Sequence, residues 1–333
     1  MSVSRRSFLK MSVGTAALAS TPAAIAKQAS ETKIPKRKFG KYDDMLTVVG
    51  LGGHTLWMSG SQAEANKIVD RALDLGINFF DNAWGYHDGE AEEYMGVALE
   101  GKRDKVFLMS KFPNFNSGGA NATTVGAMKQ LEDSLRRLKT DHLDLWMMHN
   151  IQGNAVEQAY KEDGAIKALE LAKQQGKIRY TGFTGHTFPE VHAKMITEGY
   201  DWDATLMPVS IVGALKSRGF ESEVMPLCKK NDIVVLGMKG FGGSRRTHLH
   251  SQTNPAQLLS YSLSYPQVCS HLIGLDKVEY VDQAVAASAV KPMQPKDRAQ
   301  FAVDEVGDAA VLAHGRKYYE RDAGSGLSQR DLA

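Results

Sequence analysis

Four residues whose side chains can together do acid–base chemistry stand at or just after strand-like runs of this sequence. Asp81 ends the run INFFD, and Tyr86 follows five residues later, just past a glycine. Lys111 ends the run VFLMSK, and His149 ends the run LDLWMMH. A tyrosine with its ordinary pKa of about 10 is a weak acid at neutral pH. A nearby ammonium group favours the phenolate, which predicts a lowered pKa for Tyr86.

The other two members of this set have roles that follow from their charge. A carboxylate paired with the lysine keeps the ammonium charged and oriented, and an imidazole beside the phenol can hydrogen-bond a substrate oxygen. The set would then donate a proton to a carbonyl oxygen that is becoming an alkoxide, a reaction that also requires a hydride donor. Taken one at a time, these residues have ordinary explanations, such as a strand stop, a loop aromatic or a snorkelling lysine.

Strand-like and helical segments alternate along the chain, and this alternation predicts where the four side chains lie. A short hairpin over 36–46 precedes them. Runs typical of buried strands cover 47–52, 77–81, 106–111, 143–149, 179–184, 204–210, 233–239 and 271–275. Helical periodicity covers 63–75, 90–99, 125–138, 165–173, 190–196, 222–230, 255–265 and 278–287. The pattern favours an α/β fold, a closed (β/α)8 TIM barrel, in which the strands' carboxyl ends form one face and carry the active site.

The N-terminal segment indicates an export signal. SRRSFLK at 4–10 contains adjacent Arg5 and Arg6, a weakly apolar run follows, and Ala24-Ile25-Ala26 has the small-x-small form of a cleavage site. This order predicts a twin-arginine signal peptide over 1–26, removed near Ala26, and a periplasmic protein that has the twin-arginine translocation machinery as a partner. The apolar run is too short and too rich in small residues to span a membrane. We predict one domain over 34–320 and a disordered tail over 321–333.

Composition argues against several classes of protein. The net charge is +2 with acids and bases mixed throughout, so the chain has no electrostatic footprint for nucleic acid. Cys228 and Cys269 are far apart and form no CxxC pattern, so we expect no metal or iron–sulfur site. Buried free thiols are favoured over a disulfide. His248 and His250 resemble a ligand pair but have no third ligand nearby, which favours a solvated loop.

Five motifs make the sequence resemble the aldo-keto reductase family over 34–287. They are GLGG (50–53), GINFFDNAWGYHDGEAE (76–92), SKF (110–112), LDLWMMHN (143–150) and GKIRYTGFTGH (176–186). The resemblance implies a (β/α)8 barrel with an N-terminal β-hairpin closing its bottom. It implies a catalytic tetrad formed by Asp81, Tyr86, Lys111 and His149. It also implies an oxidoreductase that reduces an aldehyde or ketone to an alcohol, or the reverse, with NADPH as cofactor and NAD less favoured.

The resemblance implies cofactor-binding residues that match the family pattern less closely. The glycine-rich, basic loop after strand seven offers backbone N–H groups and charge suited to a pyrophosphate. Thr184 and Gly185 stand where the family often has Ser-Asn, and Asp276 would disfavour a 2′-phosphate near Lys277. The implied cofactor residues are Gly52, Gly53, Thr184, Gly185, Lys239, Gly240, Gly242, Arg245, Asp276 and Lys277.

Loop aromatics at the active face are candidates for a substrate pocket, or they simply cover the barrel mouth. They are Trp57, Trp84, His87 and Phe115. Two other functions stay open beside the enzyme. A non-catalytic, dinucleotide-binding, redox-sensing subunit of this fold would carry the same tetrad. A metal-dependent (β/α)8 hydrolase is disfavoured, because the strand ends lack clustered histidines and carboxylates.

Overall fold

Eight parallel strands close into a barrel, which confirms the predicted architecture. The computed structural model describes residues 21–113, 123–214, 219–240 and 254–306. Neighbouring strands follow one another in chain order, and the last strand pairs with the first to close the barrel. The barrel strands are β3 (Val49–Gly52), β4 (Phe79–Asp81), β5 (Phe107–Phe112), β6 (Leu143–Met148), β7 (Ile178–Thr184), β8 (Ala204–Pro208), β9 (Val234–Met238) and β10 (Val268–Ile273).

Helices surround the barrel at the predicted places, and several short ones were not predicted. The helices of the described residues are α1 (Pro22–Glu31), α2 (Gly53–Trp57), α3 (Gln62–Asp74), α4 (Glu90–Ala98), α5 (Thr124–Arg137), α6 (Ala155–Tyr160), α7 (Ala165–Gln174), α8 (Pro189–Thr197), α9 (Ile211–Ala214), α10 (Met225–Lys230), α11 (Pro255–Leu263), α12 (Val278–Ser288) and α13 (Arg298–Val306). The helix predicted over 222–230 is a π-helical turn, Phe220–Val224, followed by α10. Pro226 lacks a backbone N–H group and so interrupts the regular helical hydrogen bonds at this junction.

Side chains alternate along each strand, so the barrel has two apolar layers, one inside the ring of strands and one between the strands and the helices. On β6, Leu145 and Met147 lie in the barrel interior, where they join Phe79 and Phe107. The alternate residue, Trp146, belongs to the larger core between the strands and the helices. The interior is therefore filled with side chains, which leaves chemistry to the strand ends.

The hairpin β1 (Lys36–Lys38) and β2 (Met45–Thr47) closes the barrel at the amino ends of its strands, as predicted. Phe39 is fully buried, and its ring centroid lies 5.1 Å from that of Phe107 and 5.0 Å from that of Tyr180. The guanidinium of Arg179 donates to Asp44 of the hairpin at 2.8 Å. Packing and this ion pair together fix the hairpin across the bottom.

An unpredicted helix, α1, precedes the hairpin and packs against α12. Its residue Ala29 is fully buried. Arg71 on α3 bonds the carbonyl of Ala26 at 3.5 Å and pairs with Asp282 of α12 at 2.7 Å. The signal-peptide boundary predicted near Ala26 therefore falls inside this helix, and residues 22–26, which we expected outside the fold, form its first half.

Several predictions concern segments outside the described residues. These are the Arg5–Arg6 motif, the pair His248 and His250, and the tail over 321–333. No helix in the described ranges is long and apolar enough to cross a membrane. Both cysteines are buried and free, as expected, and burial raises the pKa of each thiol to about 12.

Candidate active site

The structure brings the four predicted catalytic side chains together at the carboxyl ends of β4, β5 and β6. Asp81 is the last residue of β4, Lys111 lies near the end of β5, and His149 directly follows β6. The ammonium of Lys111 contacts the carboxylate of Asp81. It also donates to the carbonyl of Asn82 at 2.7 Å and to the hydroxyl of Tyr86 at 3.2 Å. A single buried ammonium thus links the carboxylate to the phenol.

Rings and a cation surround the phenol of Tyr86. The Lys111 ammonium lies 4.7 Å from the centroid of its ring. The imidazole of His149 meets the ring edge-on, with centroids 5.5 Å apart and planes at 82°. A second imidazole, that of His54, lies 5.3 Å away at 68°. No role was predicted for His54, which directly follows the GLGG motif.

Burial sets the ionisation of these groups. It raises the pKa of Tyr86 above its ordinary value, and Lys111 offsets only part of this increase. The predicted lowering of that pKa is therefore wrong, because an enclosed phenolate loses more hydration than one ammonium replaces. Burial also lowers the pKa of His149 to about 3, with a further lowering by Lys111, so its imidazole is neutral at physiological pH.

The Asp81–Lys111 pair keeps its charges in spite of burial. Burial alone would lower the pKa of Lys111, but Asp81 and Tyr86 outweigh it and the net shift is upward. Burial raises the pKa of Asp81, yet the ammonium in contact with it favours the carboxylate. We therefore describe the pair as carboxylate and ammonium.

The turn after β4 is fixed by Asn82. Its side-chain amide donates to the carbonyl of Ala91 at 2.9 Å, and its side-chain oxygen accepts from the N–H of Ala83 at 2.9 Å. A Cβ atom at Gly53 would lie 2.5 Å from Nδ2 of Asn82 and 2.7 Å from the carbonyl oxygen of Asp81. Close packing on this turn therefore explains the glycine at 53, whose implied contact with a cofactor stays a prediction.

A buried carboxylate on α4, that of Glu92, anchors the loop that carries Tyr86. Glu92 is fully buried, accepts from the hydroxyl of Ser110 at 2.6 Å and pairs with Arg137 at 3.3 Å. Arg137 in turn donates to the carbonyl of Trp84 at 3.0 Å and packs against Gly89. One feature of the sequence could have indicated this anchor, namely that the charged residue Glu92 lies on the inward face of α4.

Two left-handed residues directly follow Tyr86. His87 has φ 51° and Asp88 has φ 56°, a region that residues other than glycine seldom adopt and that often marks functional sites. The ring of His87 stacks between those of Trp57 at 3.8 Å and His54 at 4.5 Å. Its Nε2 donates to the His54 carbonyl at 3.0 Å. These three rings, called the stacked wall below, lie beside Tyr86.

The other two predicted substrate residues are placed differently. The ring of Trp84 lies against α5, with the guanidinium of Arg137 at 5.2 Å from its centroid and its indole N–H 3.4 Å from Asp133. Trp84 thus contacts the outer helices, whereas Trp57 and His87 are near Tyr86. Phe115 lies outside the described residues.

The Aldo/keto reductase family model matches residues 48–258. The chain belongs to the aldo/keto reductase family. It is 34% identical over 198 residues to methylglyoxal reductase YeaE of Escherichia coli (strain K12), which covers 58% of this chain and 64% of that protein. The match thus spans less than two-thirds of the length of that relative. L-galactose dehydrogenase of Arabidopsis thaliana is 32% identical over 287 residues, covering 77% of this chain and 88% of the plant protein.

A solved structure supports the fold of this aldo/keto reductase. The holo form of aldo-keto reductase AKR11C1 from Bacillus halodurans superposes with a TM-score of 0.68 at 24% identity. The superposition covers 82% of this chain and 96% of the other.

The carboxyl end of β7 in this aldo/keto reductase presents two buried polar atoms without a hydrogen-bond partner in the described residues. They are Oγ1 of Thr184 and Nδ1 of His186. Burial, followed by Lys239 and His149, keeps the pKa of His186 well below its usual value, so the ring is neutral. A Cβ atom at Gly185 would lie 2.7 Å from the ring of His192. Thr184 and His186 are therefore available to a ligand, whereas Gly185 is explained by packing.

The remaining implied cofactor residues that the structure describes lie around the same barrel face. Gly52 is half-buried at the end of β3. Lys239 follows β9 in a left-handed conformation, and its neighbour Gly240 is buried. Asp276 is half-buried, and Lys277 is exposed at the N-cap position of α12. Gly242 and Arg245 lie outside the described residues, within which no group of side chains could hold a metal ion.

Proposed function

We propose that this chain is an NAD(P)H-dependent oxidoreductase that interconverts a carbonyl compound and its alcohol. The observation that carries the proposal is the hydroxyl of Tyr86 at 3.2 Å from the ammonium of Lys111, which also contacts Asp81. The neutral imidazole of His149 stands edge-on to the same phenol. A protonated phenol, an ammonium that stabilises its conjugate base, and an uncharged hydrogen-bonding ring suit a carbonyl oxygen.

The residues present fit a nicotinamide dinucleotide. The unpartnered atoms of Thr184 and His186 offer hydrogen bonds to an amide, and they lie on the same barrel face as the tetrad. Lys239 and Lys277 offer positive charge for phosphate groups, the latter at a helix N-terminus. When bound, the dinucleotide supplies or accepts a hydride.

The side chains of the tetrad handle the proton. Tyr86 and the N–H of His149 both hydrogen-bond the substrate oxygen, which orients the carbonyl. Tyr86 then gives its proton to that oxygen, and the ammonium of Lys111 stabilises the phenolate that remains. Asp81 holds Lys111 charged and in place. In the direction of alcohol oxidation the phenolate takes the proton back.

The named relatives indicate where a substrate search should start. One is a methylglyoxal reductase and another an L-galactose dehydrogenase, so small carbonyl compounds with a neighbouring oxygen come first. Titration of the pure protein with NADPH and NADH by fluorescence, followed by a panel of such carbonyls, tests the proposal. Binding of neither dinucleotide would refute it.

The rate of carbonyl reduction should depend on pH in a defined way. Reduction needs Tyr86 protonated, and burial holds its pKa above the ordinary value of about 10. We therefore expect kcat/KM to fall only above about pH 10, as the phenol loses its proton. His149, with a pKa of about 3, should give no inflection between about pH 5 and 8. Steady-state rates from about pH 5 to about pH 11, with circular dichroism to confirm folding, provide the measurement. An inflection at about pH 6.5 would contradict a neutral imidazole.

We propose NADP as the preferred cofactor, through Lys277 or Lys239. The dissociation constant for NADPH should be about tenfold lower than that for NADH, a difference of about 1.4 kcal/mol. Lys277→Ala or Lys239→Ala should remove most of this preference, whereas Lys291→Ala, an exposed lysine past the end of α12, should not. Equal affinities for the two dinucleotides, with no loss in either variant, would reject both phosphate roles.

We also propose export by the twin-arginine route, which carries proteins that have already folded. The motif SRRSFLK at 4–10 supports it, and a dinucleotide made in the cytoplasm would be acquired before export. Replacing Arg5 and Arg6 by Lys should leave folded, cofactor-binding protein in the cytoplasm, as measured by fractionation. Unchanged export of that variant would refute the route. The N-terminal sequence of the exported protein then tests removal near Ala26.

A further inference from the structure

A histidine outside the tetrad is fully buried beside the turn by which the chain leaves β9. His271 lies on β10, and both of its ring nitrogens are paired. The N–H of Gly240 donates to Nε2 at 3.0 Å, and Nδ1 lies 2.6 Å from the hydroxyl of Ser262 on α11. Because Nε2 accepts a hydrogen bond, the proton of the neutral ring resides on Nδ1, which donates to Ser262.

The imidazole of His271 also fits against the backbone at two points. A Cβ atom at Gly237 would lie 2.5 Å from Nδ1, and one at Gly240 would lie 2.6 Å from Nε2. Between these glycines stands Lys239, in a left-handed conformation with φ 59°. The ring therefore occupies the space that both glycines leave open, and it binds the turn by which the chain leaves β9.

We propose that Ser262 and His271 form a latch that fixes the turn at Lys239 and Gly240 and thereby sets the affinity for the dinucleotide. This inference rests on the proposed function, which places Lys239 among the phosphate contacts. His271 acts as a positioning residue, since it holds the backbone next to Lys239. Without an acceptor, the buried N–H of Gly240 drives the turn into other conformations. Affinity then falls in proportion to the fraction of molecules in which the turn is formed.

Two substitutions at 271 separate this role from general packing. His271→Gln introduces a carboxamide that can accept from Gly240 and donate to Ser262, whereas His271→Phe keeps an aromatic ring, somewhat larger, that can do neither. We expect His271→Phe to raise the dissociation constant for NADPH about tenfold or more, with kcat at saturating cofactor within about twofold. His271→Gln should remain within about threefold of the wild-type constant. Equal dissociation constants for NADPH in both variants and the wild type would overturn the latch.

A second variant and a control guard against misfolding. Ser262→Ala leaves the His271 ring in place but removes the hydroxyl that accepts from its Nδ1, so the dissociation constant for NADPH should rise about threefold. Asp144→Asn is the control, because Asp144 is buried at the amino end of β6, where it pairs with Arg103 and Arg179. Asp144→Asn should lower the melting temperature and leave the dissociation constant for NADPH unchanged. Two results together would refute the proposal. They are an unchanged dissociation constant for NADPH in Ser262→Ala, and binding of NADPH by His271→Phe that is as tight as binding by Asp144→Asn.

Hydrogen exchange of the cofactor-free protein tests the latch without any ligand. The peptide covering 234–240 should exchange faster in His271→Phe than in the wild type or in Asp144→Asn. Unchanged exchange in folded His271→Phe would overturn the latch. If the wild type binds neither NADPH nor NADH, the proposed function fails, and the exchange rates still decide whether His271 holds the turn.

Discussion

Replacing Tyr86 by Phe is expected to lower kcat for carbonyl reduction by about 10²–10⁴-fold, the usual contribution of a general acid. The substitution removes only the hydroxyl, so the ring keeps its edge-on contact with His149 and its place over Lys111. The dissociation constant for the dinucleotide should change little, because Tyr86 has no part in the proposed phosphate contacts. Steady-state rates at saturating cofactor and fluorescence titration measure the two quantities.

A matched control comes from another tyrosine. Tyr94 on α4 is half-buried and packs against the main core, so Tyr94→Phe removes a hydroxyl that has no part in the proposed chemistry. It should retain wild-type turnover. Wild-type turnover in Tyr86→Phe would rule out this phenol as the proton donor.

Lys111→Met is expected to abolish measurable reduction and to destabilise the fold by about 3–5 kcal/mol, the usual cost of breaking a buried ion pair by removing one partner. The side chain of Lys111 is 1% exposed, and that of Asp81 is 7% exposed. The carboxylate would therefore remain in the interior without its cation. Urea unfolding followed by circular dichroism measures the loss.

The double variant Asp81→Asn, Lys111→Met distinguishes lost charge pairing from lost packing. With the carboxylate neutralised, much of the stability should return, while activity should stay absent because the phenolate still lacks its ammonium. If the single variant is as stable as the wild type, or the double variant is less stable than the single one, the buried pair is not charged as described.

The placement of the tetrad was predictable because it depends on topology. Asp81, Lys111 and His149 each end or follow a buried strand, and parallel strands of a closed barrel bring their carboxyl ends to one face. Tyr86 follows β4, the strand that ends at Asp81, closely enough to reach the same point. The sequence pattern thus sufficed to bring together residues that are far apart along the chain.

The ionisation of the tetrad was not predictable in the same way. One charge pair suggested a lowered pKa for Tyr86, but burial of the phenol raises it. That burial depends on segments beyond the strand ends, among them the residues of the stacked wall. Its central residue, His87, adopts a backbone conformation that local sequence preference does not favour.

Residues that act through others also escaped prediction. The sequence places Trp84 on a loop at the active face, yet its ring lies on Arg137, which the buried Glu92 holds. His271 carries no motif, and the role proposed for it depends on the side-by-side placement of β9 and β10. The helix α1 was missed because its composition also suits a signal peptide.

Transfer of a labelled hydride tests the proposed activity most directly. The protein is incubated with methylglyoxal and with NADPH dideuterated at C4 of the nicotinamide, and the alcohol product is analysed by mass spectrometry. We expect one deuterium on the former carbonyl carbon, with formation of that product slowed by about 10²–10⁴-fold in Tyr86→Phe. If methylglyoxal is not a substrate, the carbonyl that turns over in the panel takes its place. An alcohol without deuterium, or labelled product formed equally fast by Tyr86→Phe, would contradict hydride transfer with Tyr86 as the proton donor.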